Sequence, residues 1–150
     1  MKEEIKQRLL KHINFLEDEI RYYPKFRQLT GTIFREDNDQ RRNVERWVEN
    51  IINSSIDISK NILTLEEIRL PDTYKDIVLS ISVVKELNIN SAESLAGWVR
   101  LRNIVAHEYL DIRWSSIKKF ISETEPLFRN FLEKTKKYLE KKIVEDSETQ

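Results

Sequence analysis

The residues in this chain that could do chemistry cluster in one segment, Leu101-Arg102-Asn103-Ile104-Val105-Ala106-His107-Glu108-Tyr109. It places Arg, Asn, His and Tyr within eight positions beside an apolar helix face. Arginine is a planar, permanently charged fork suited to phosphate. A histidine near its ordinary pKa can take or give a proton. Together they suffice for RNA cleavage without a metal: His107 assists the 2′-hydroxyl or the leaving oxygen, and Arg102 stabilises charge on the phosphate. Asn103 is placed to orient the phosphate or the imidazole. The competing reading is structural. Arg102 would then pair with Asp57 or another acid, and His107 would cap a helix C-terminus. On spacing alone, the structural reading is the commoner one.

The segment must be positioned by helices. On a continuous helix Arg102 and Tyr109, seven residues apart, share a face and continue the line of Leu95 and Trp98. His107 would lie about 140° around from Arg102. Either the helix unwinds near His107, or a site is assembled from two copies of the chain. Asp111, the expected cap of the next helix, favours unwinding.

Periodicity supplies the other elements. Ile5, Leu9, Ile13, Leu16 and Ile20 predict a helix from Lys2 to about Tyr23, stopping near Pro24, with Thr30-Gly31-Thr32 as a turn. Val44, Val48, Ile51, Ser55, Ile58 and Ile62 predict a second, capped within Glu36-Asp37-Asn38-Asp39 and ending near Leu63. Ser54, Ser55 and Asp57 make its middle polar. Asp72 or Thr73 caps a third helix carrying Ile77 to Leu87. Asn90-Ser91-Ala92-Glu93 reads as a capping box opening a fourth, through Leu95, Trp98, Arg102 and Ala106. A fifth carries Trp114, Ile117, Phe120 and Ile121, and Pro126 breaks it or opens its continuation through Phe128, Phe131 and Tyr138. Gly97 weakens the fourth helix and would permit a close approach by a neighbour. The expected architecture is all-α: an antiparallel bundle of four to five helices over residues 1–140, then a polar tail, 141–150, that frays.

Composition narrows the class. The chain has 150 residues, no Cys and 2 His, which argues against a disulfide scaffold and a thiolate or protein-only zinc site. With 2 Gly and 3 Pro it lacks the turns of an all-β fold. No apolar run approaches the roughly 20 residues of a membrane span, and the charged N-terminus lacks a signal core. A soluble, cytoplasmic protein is the expectation. Lys+Arg and Asp+Glu are both 26, so any phosphate site must be a local concentration of cations. Arg100, Arg113, Lys118 and Lys119 are candidates for that rim. Trp98 and Trp114 read as core packing, and His12 as a surface residue.

Arg102, Asn103, His107 and Tyr109 together resemble the R-x4-H-x-Y signature of the HepT-like toxins, a branch of the HEPN superfamily. The resemblance extends over roughly Ile5 to Leu139, through the polar centre of the second helix and the Glu125-Pro126-Leu127 break. It implies a homodimeric HEPN bundle and a metal-independent ribonuclease that needs no cofactor. Its cleft would lie at the dimer interface, with Arg102 and His107 from both chains. It further implies a nucleotidyltransferase antitoxin that transfers AMP from ATP to Tyr109. Glu108 departs from the small residue common at that position; with Asp57 it is assigned a supporting role, orienting His107. The alternative is a non-catalytic HEPN module that partners a nucleotidyltransferase or binds nucleotide. A plainer one is a helical interaction protein in which Arg102 and His107 are structural.

Overall fold

The computed structural model describes residues 1–149, with side chains described for 1–147. Its elements are α1 (Lys2–Ile20), α2 (Tyr23–Arg27), α3 (Gly31–Glu36), α4 (Asn38–Leu65), α5 (Tyr74–Ser80), α6 (Ala92–Trp98), α7 (Leu101–His107), α8 (Leu110–Glu123) and α9 (Glu125–Thr149). Two 3-10 turns, Ile81–Val83 and Lys85–Leu87, join α5 to α6. There is no strand among the described residues.

The long α4 is the axis on which the rest packs. Asp37 caps it, its side chain accepting from the backbone N–H of Asp39 and Gln40 at 3.1 Å each. Those bonds use two of the N–H groups that a helix start leaves unpaired. Val44, Val48, Ile51, Ile58 and Ile62 are buried along one stripe, as their spacing predicts. Ser54, Ser55 and Ser59 are buried too, and each hydroxyl donates to a carbonyl of its own helix. The polar centre of α4 is therefore satisfied locally.

Helix α1 runs antiparallel to α4. Lys2 pairs with Glu67, His12 with Asp57, and the Trp47 indole donates to the Glu19 carbonyl. It is antiparallel to α9 as well, since Lys6 pairs with Asp146 and Glu17 with Lys136. The core between these helices holds Leu9, Ile13, Leu16 and Ile20 of α1 with Phe128, Phe131 and Tyr138 of α9. Burying each such side chain contributes about 1.5–3 kcal/mol.

Several sequence expectations give way here. The first helix ends at Ile20, because Pro24 opens α2. Thr30-Gly31-Thr32 is a helix start, not a turn: the Thr30 side chain accepts from the Ile33 N–H at 3.2 Å. The third helix stops at Ser80 and tightens into 3-10 geometry before Leu87. Ser91 makes no side-chain cap bond, so the capping box does not form. At the other end Pro126 lies in the first turn of α9, after a break at buried Thr124. The Thr124 hydroxyl donates to the Phe120 carbonyl and lies 2.7 Å from the Tyr23 hydroxyl.

The segment beyond Lys141 does not fray at once. It continues α9 to Thr149, while Gln150 lies outside the described residues. Lys142 holds it down, with Nζ 3.0 Å from both Glu66 and Glu86. Burial opposes the Lys142 charge, but these two carboxylates outweigh it and raise its pKa. No helix among the described residues is long and apolar enough to cross a membrane.

Candidate functional site

The chemistry-bearing segment folds as a short helix between two breaks. The first lies at Val99 and Arg100, where the Arg102 N–H bonds to the Val99 carbonyl and the Asn103 N–H to the Arg100 carbonyl. These three-residue links replace the four-residue ladder, so the expected continuous fourth helix is two helices, α6 and α7. Gly97, the poorest helix former of the segment, lies just before the break. Among the described residues, nothing beyond its chain neighbours and its own helix backbone would lie within 4 Å of a Cβ there, so none of the described helices makes the close approach that Gly97 would allow.

The second break follows His107. Glu108 and Tyr109 are extended, with ψ of 164° and 159°, and α8 begins at Leu110. Tyr109 occupies the cap position of α8, and Asp111 lies inside the first turn instead of capping it. Arg102 and Tyr109 therefore do not share one helix face. The unwinding comes too late to reunite Arg102 and His107, which both remain on α7. Five residues of helix still turn them about 140° apart.

Leu101 and Val105, four residues apart, are buried and fix the rotation of α7. Arg102 is then half-buried, while Asn103, His107, Glu108 and Tyr109 are exposed, Tyr109 to 84%. Arg102 and Asn103 line a groove of about 560 Å³ between α7, α4 and the start of α5, together with Glu49, Asn53 and Tyr74. A smaller groove of about 200 Å³ adjoins it, lined by Asn53, Asp57, Lys60, Tyr74 and Arg102. His107 lines neither one.

Arg102 does not pair with Asp57. Its guanidinium carbon lies 4.9 Å from the centroid of the Tyr74 ring, and no carboxylate among the described residues is in ion-pair range of it. Asp57 instead lies 3.9 Å from Nδ1 of His12, which is half-buried where a surface position was expected. An arginine turned toward a groove with no acid partner can receive an anion.

The surrounding residues divide. Arg113 is drawn off to Glu45, with Nη2 2.5 Å from the carboxylate, and leaves the rim. Arg100, Lys118 and Lys119 are exposed. Trp98 packs edge-on to Phe120 at 5.5 Å and Trp114 against Phe34 at 5.2 Å, so both belong to the core. No three His, Asp or Glu side chains among the described residues are grouped to hold a metal ion.

Tyr74, Lys60 and Asn53 join the groove without having been expected there from the sequence. One signal was available: Asn53, Asp57 and Lys60 repeat at four and three residues, a polar stripe on α4 opposite its buried face. Nothing in the sequence connects Tyr74 to Arg102.

Residues 9–135 match the family model described as HepT-like ribonuclease. No curated protein matches the chain. The matched span takes in all of α7, the Glu108-Tyr109 link and the groove residues of α4 and α5.

Proposed function

The chain belongs to the HepT-like ribonuclease family and has the ribonuclease activity which that membership carries, and on that premise we propose a metal-independent endoribonuclease toxin whose cleft is formed by two copies. Arg102 of each copy faces the phosphate and His107 handles protons. The imidazole takes the proton of a 2′-hydroxyl, whose oxygen attacks the adjacent phosphorus. The bond from phosphorus to the 5′-oxygen breaks, and that oxygen takes up a proton. The products are a 2′,3′-cyclic phosphate end and a 5′-hydroxyl end. Arg102 stabilises the charge that builds on the phosphoryl oxygens. Asn103 orients the phosphate, while Glu108 and Asp57 support the site.

The observation that carries this reading is the geometry of α7. It holds both residues accessible, yet on different faces of one short, rotationally fixed helix. A second copy supplies the missing partner for each.

The partner that restrains it is a nucleotidyltransferase antitoxin. The Tyr109 phenolic oxygen attacks the α-phosphorus of ATP, pyrophosphate leaves, and the phenol proton passes to a base on the partner. The attached AMP brings a phosphate next to the cleft, where it competes with RNA for Arg102.

The test is degradation of single-stranded RNA by purified protein with EDTA present. Wild type should cleave, and His107→Ala and Arg102→Ala should each lose about 100-fold or more of kcat, as removal of a general base or an oxyanion partner does elsewhere. Equal activity in all three, or activity only with an added divalent metal, would refute the assignment.

A further inference from the structure

The Tyr74 ring holds two cations, not one. The Lys60 ammonium lies 4.9 Å from its centroid, the same distance as the Arg102 guanidinium carbon. The two charges are thus no further apart than twice that length. Both side chains are half-buried against the same small groove. Among the described residues, neither has a carboxylate in ion-pair range; Asp57, on the same groove, is turned to His12. An aromatic face attracts a cation through its quadrupole, but two like charges brought to one ring repel each other. An anion between or above them would relieve that repulsion. The larger groove opens beside them and brings Lys75 and Arg100 against the one acid Glu49. The local balance is therefore positive in a chain whose net charge is zero.

We propose that Lys60 is a second phosphate-binding residue for the RNA substrate, and that Tyr74 is the positioning residue that holds Lys60 and Arg102 together as a two-cation seat. The proposal rests on the reading of Arg102 as the phosphate ligand of a ribonuclease. Lys60 takes the same phosphodiester as Arg102 or the neighbouring one along the strand. The backbone of Tyr74 is anchored at the start of α5, where the Thr73 side chain accepts from the Asp76 N–H at 3.1 Å, while its ring remains partly exposed. Lysine and arginine contribute differently here: the ammonium is a point charge, and the guanidinium is a planar fork.

The experiment uses the full chain in two assays. Binding is measured against a single-stranded 2′-O-methyl RNA oligonucleotide, which lacks the attacking hydroxyl, over a range of salt. Cleavage is measured on the unmodified RNA. The variants are Lys60→Ala, Lys60→Arg, Tyr74→Phe and Tyr74→Leu, with Lys11→Ala on the exposed side of α1 as a charge control; melting temperatures confirm folding. Loss of one phosphate contact should lower the salt slope of binding by about 0.7 in Lys60→Ala. KM should rise about tenfold with kcat little changed, as for an interaction made equally in ground and transition states. Lys60→Arg should keep the wild-type salt slope, because the charge is kept, and Tyr74→Phe should keep both readouts, because the ring face is kept. Tyr74→Leu should shift slope and KM in the same direction as Lys60→Ala. The proposal is overturned if Lys60→Ala matches Lys11→Ala in both readouts, if Tyr74→Leu changes neither, or if the oligonucleotide does not bind. A wild type that binds with a Lys60-dependent slope but cleaves nothing would sink the nuclease reading and leave the two-cation seat standing.

Discussion

Tyr109 exposes 84% of its surface on a two-residue extended link, and its side chain packs on neither neighbouring helix strongly enough to be covered. A phenol so placed is open to a transferase that must bring an ATP α-phosphorus within bonding distance. If the proposed modification holds, co-expression with a nucleotidyltransferase antitoxin of the proposed kind should raise the intact mass of the chain by one or more AMP units, and Tyr109→Phe should abolish the gain. Persistence of the added mass in that variant would assign the modification elsewhere. Glu108 needs no unusual accommodation, since it is exposed and in ordinary extended backbone. The residue types of this segment were legible in the sequence because each carries distinctive chemistry. Their separation was legible too, since about 140° follows from helix pitch alone. What could not be read was the Arg102 partner: Asp57 lines the same small groove but lies against His12, and Tyr74 is brought to Arg102 by the fold.

At the scale of elements, the periodic stretches were read best. Asp37 caps α4 and Thr73 caps α5, as their polar side chains before apolar runs suggest. The breaks were read less well. The interruption at Val99–Arg100 falls where backbone dihedrals stay helical, so no proline or turn residue marks it. Gly31 was misread for a related reason, because glycine signals a turn but here gives room. A Cβ on Gly31 would lie 2.9 Å from Nε1 of Trp114 and 3.1 Å from Nη1 of Arg35. The arginine end can move, whereas Trp114 is packed on Phe34. Gly31→Ala should therefore destabilise by about 1–3 kcal/mol through overpacking of α3 against α8. A fall in melting temperature of several degrees would bear this out; an unchanged or higher value would show that Trp114 yields freely.

Across the whole molecule, a polar knot ties α9 to the end of α4 and to the connection between α5 and α6. The Tyr138 hydroxyl donates to Glu66 at 2.5 Å, and Lys142 bridges Glu66 to Glu86. Burial alone would raise the Glu66 pKa, but the bonds from Tyr138 and Lys142 prevail and hold it below 4.5. A carboxyl depressed on folding gives stability that is complete above 4.5, its ordinary value, and is lost as pH falls through the folded value. Glu66→Gln should thus lower the melting temperature at about pH 6 and lose less of it on acidification to about pH 3 than wild type. Parallel pH profiles would count against the knot. The sequence treats this tail as a polar fringe because it carries few apolar residues; its anchoring is ionic and involves partners far along the chain. The all-helical class was readable from composition and period. The alternative of a non-catalytic module, also open at that level, yields to the family match over residues 9–135.

The central claim is that one cleft draws Arg102 and His107 from different copies. Differently tagged Arg102→Ala and His107→Ala chains should be co-expressed, and the mixed species isolated through both tags. RNA cleavage with EDTA present is then compared with each variant alone. The expected result is that the mixed species regains a substantial part of wild-type activity while each variant alone stays inactive. A mixed species as inactive as its parents, or no mixed species at all, would contradict the shared cleft.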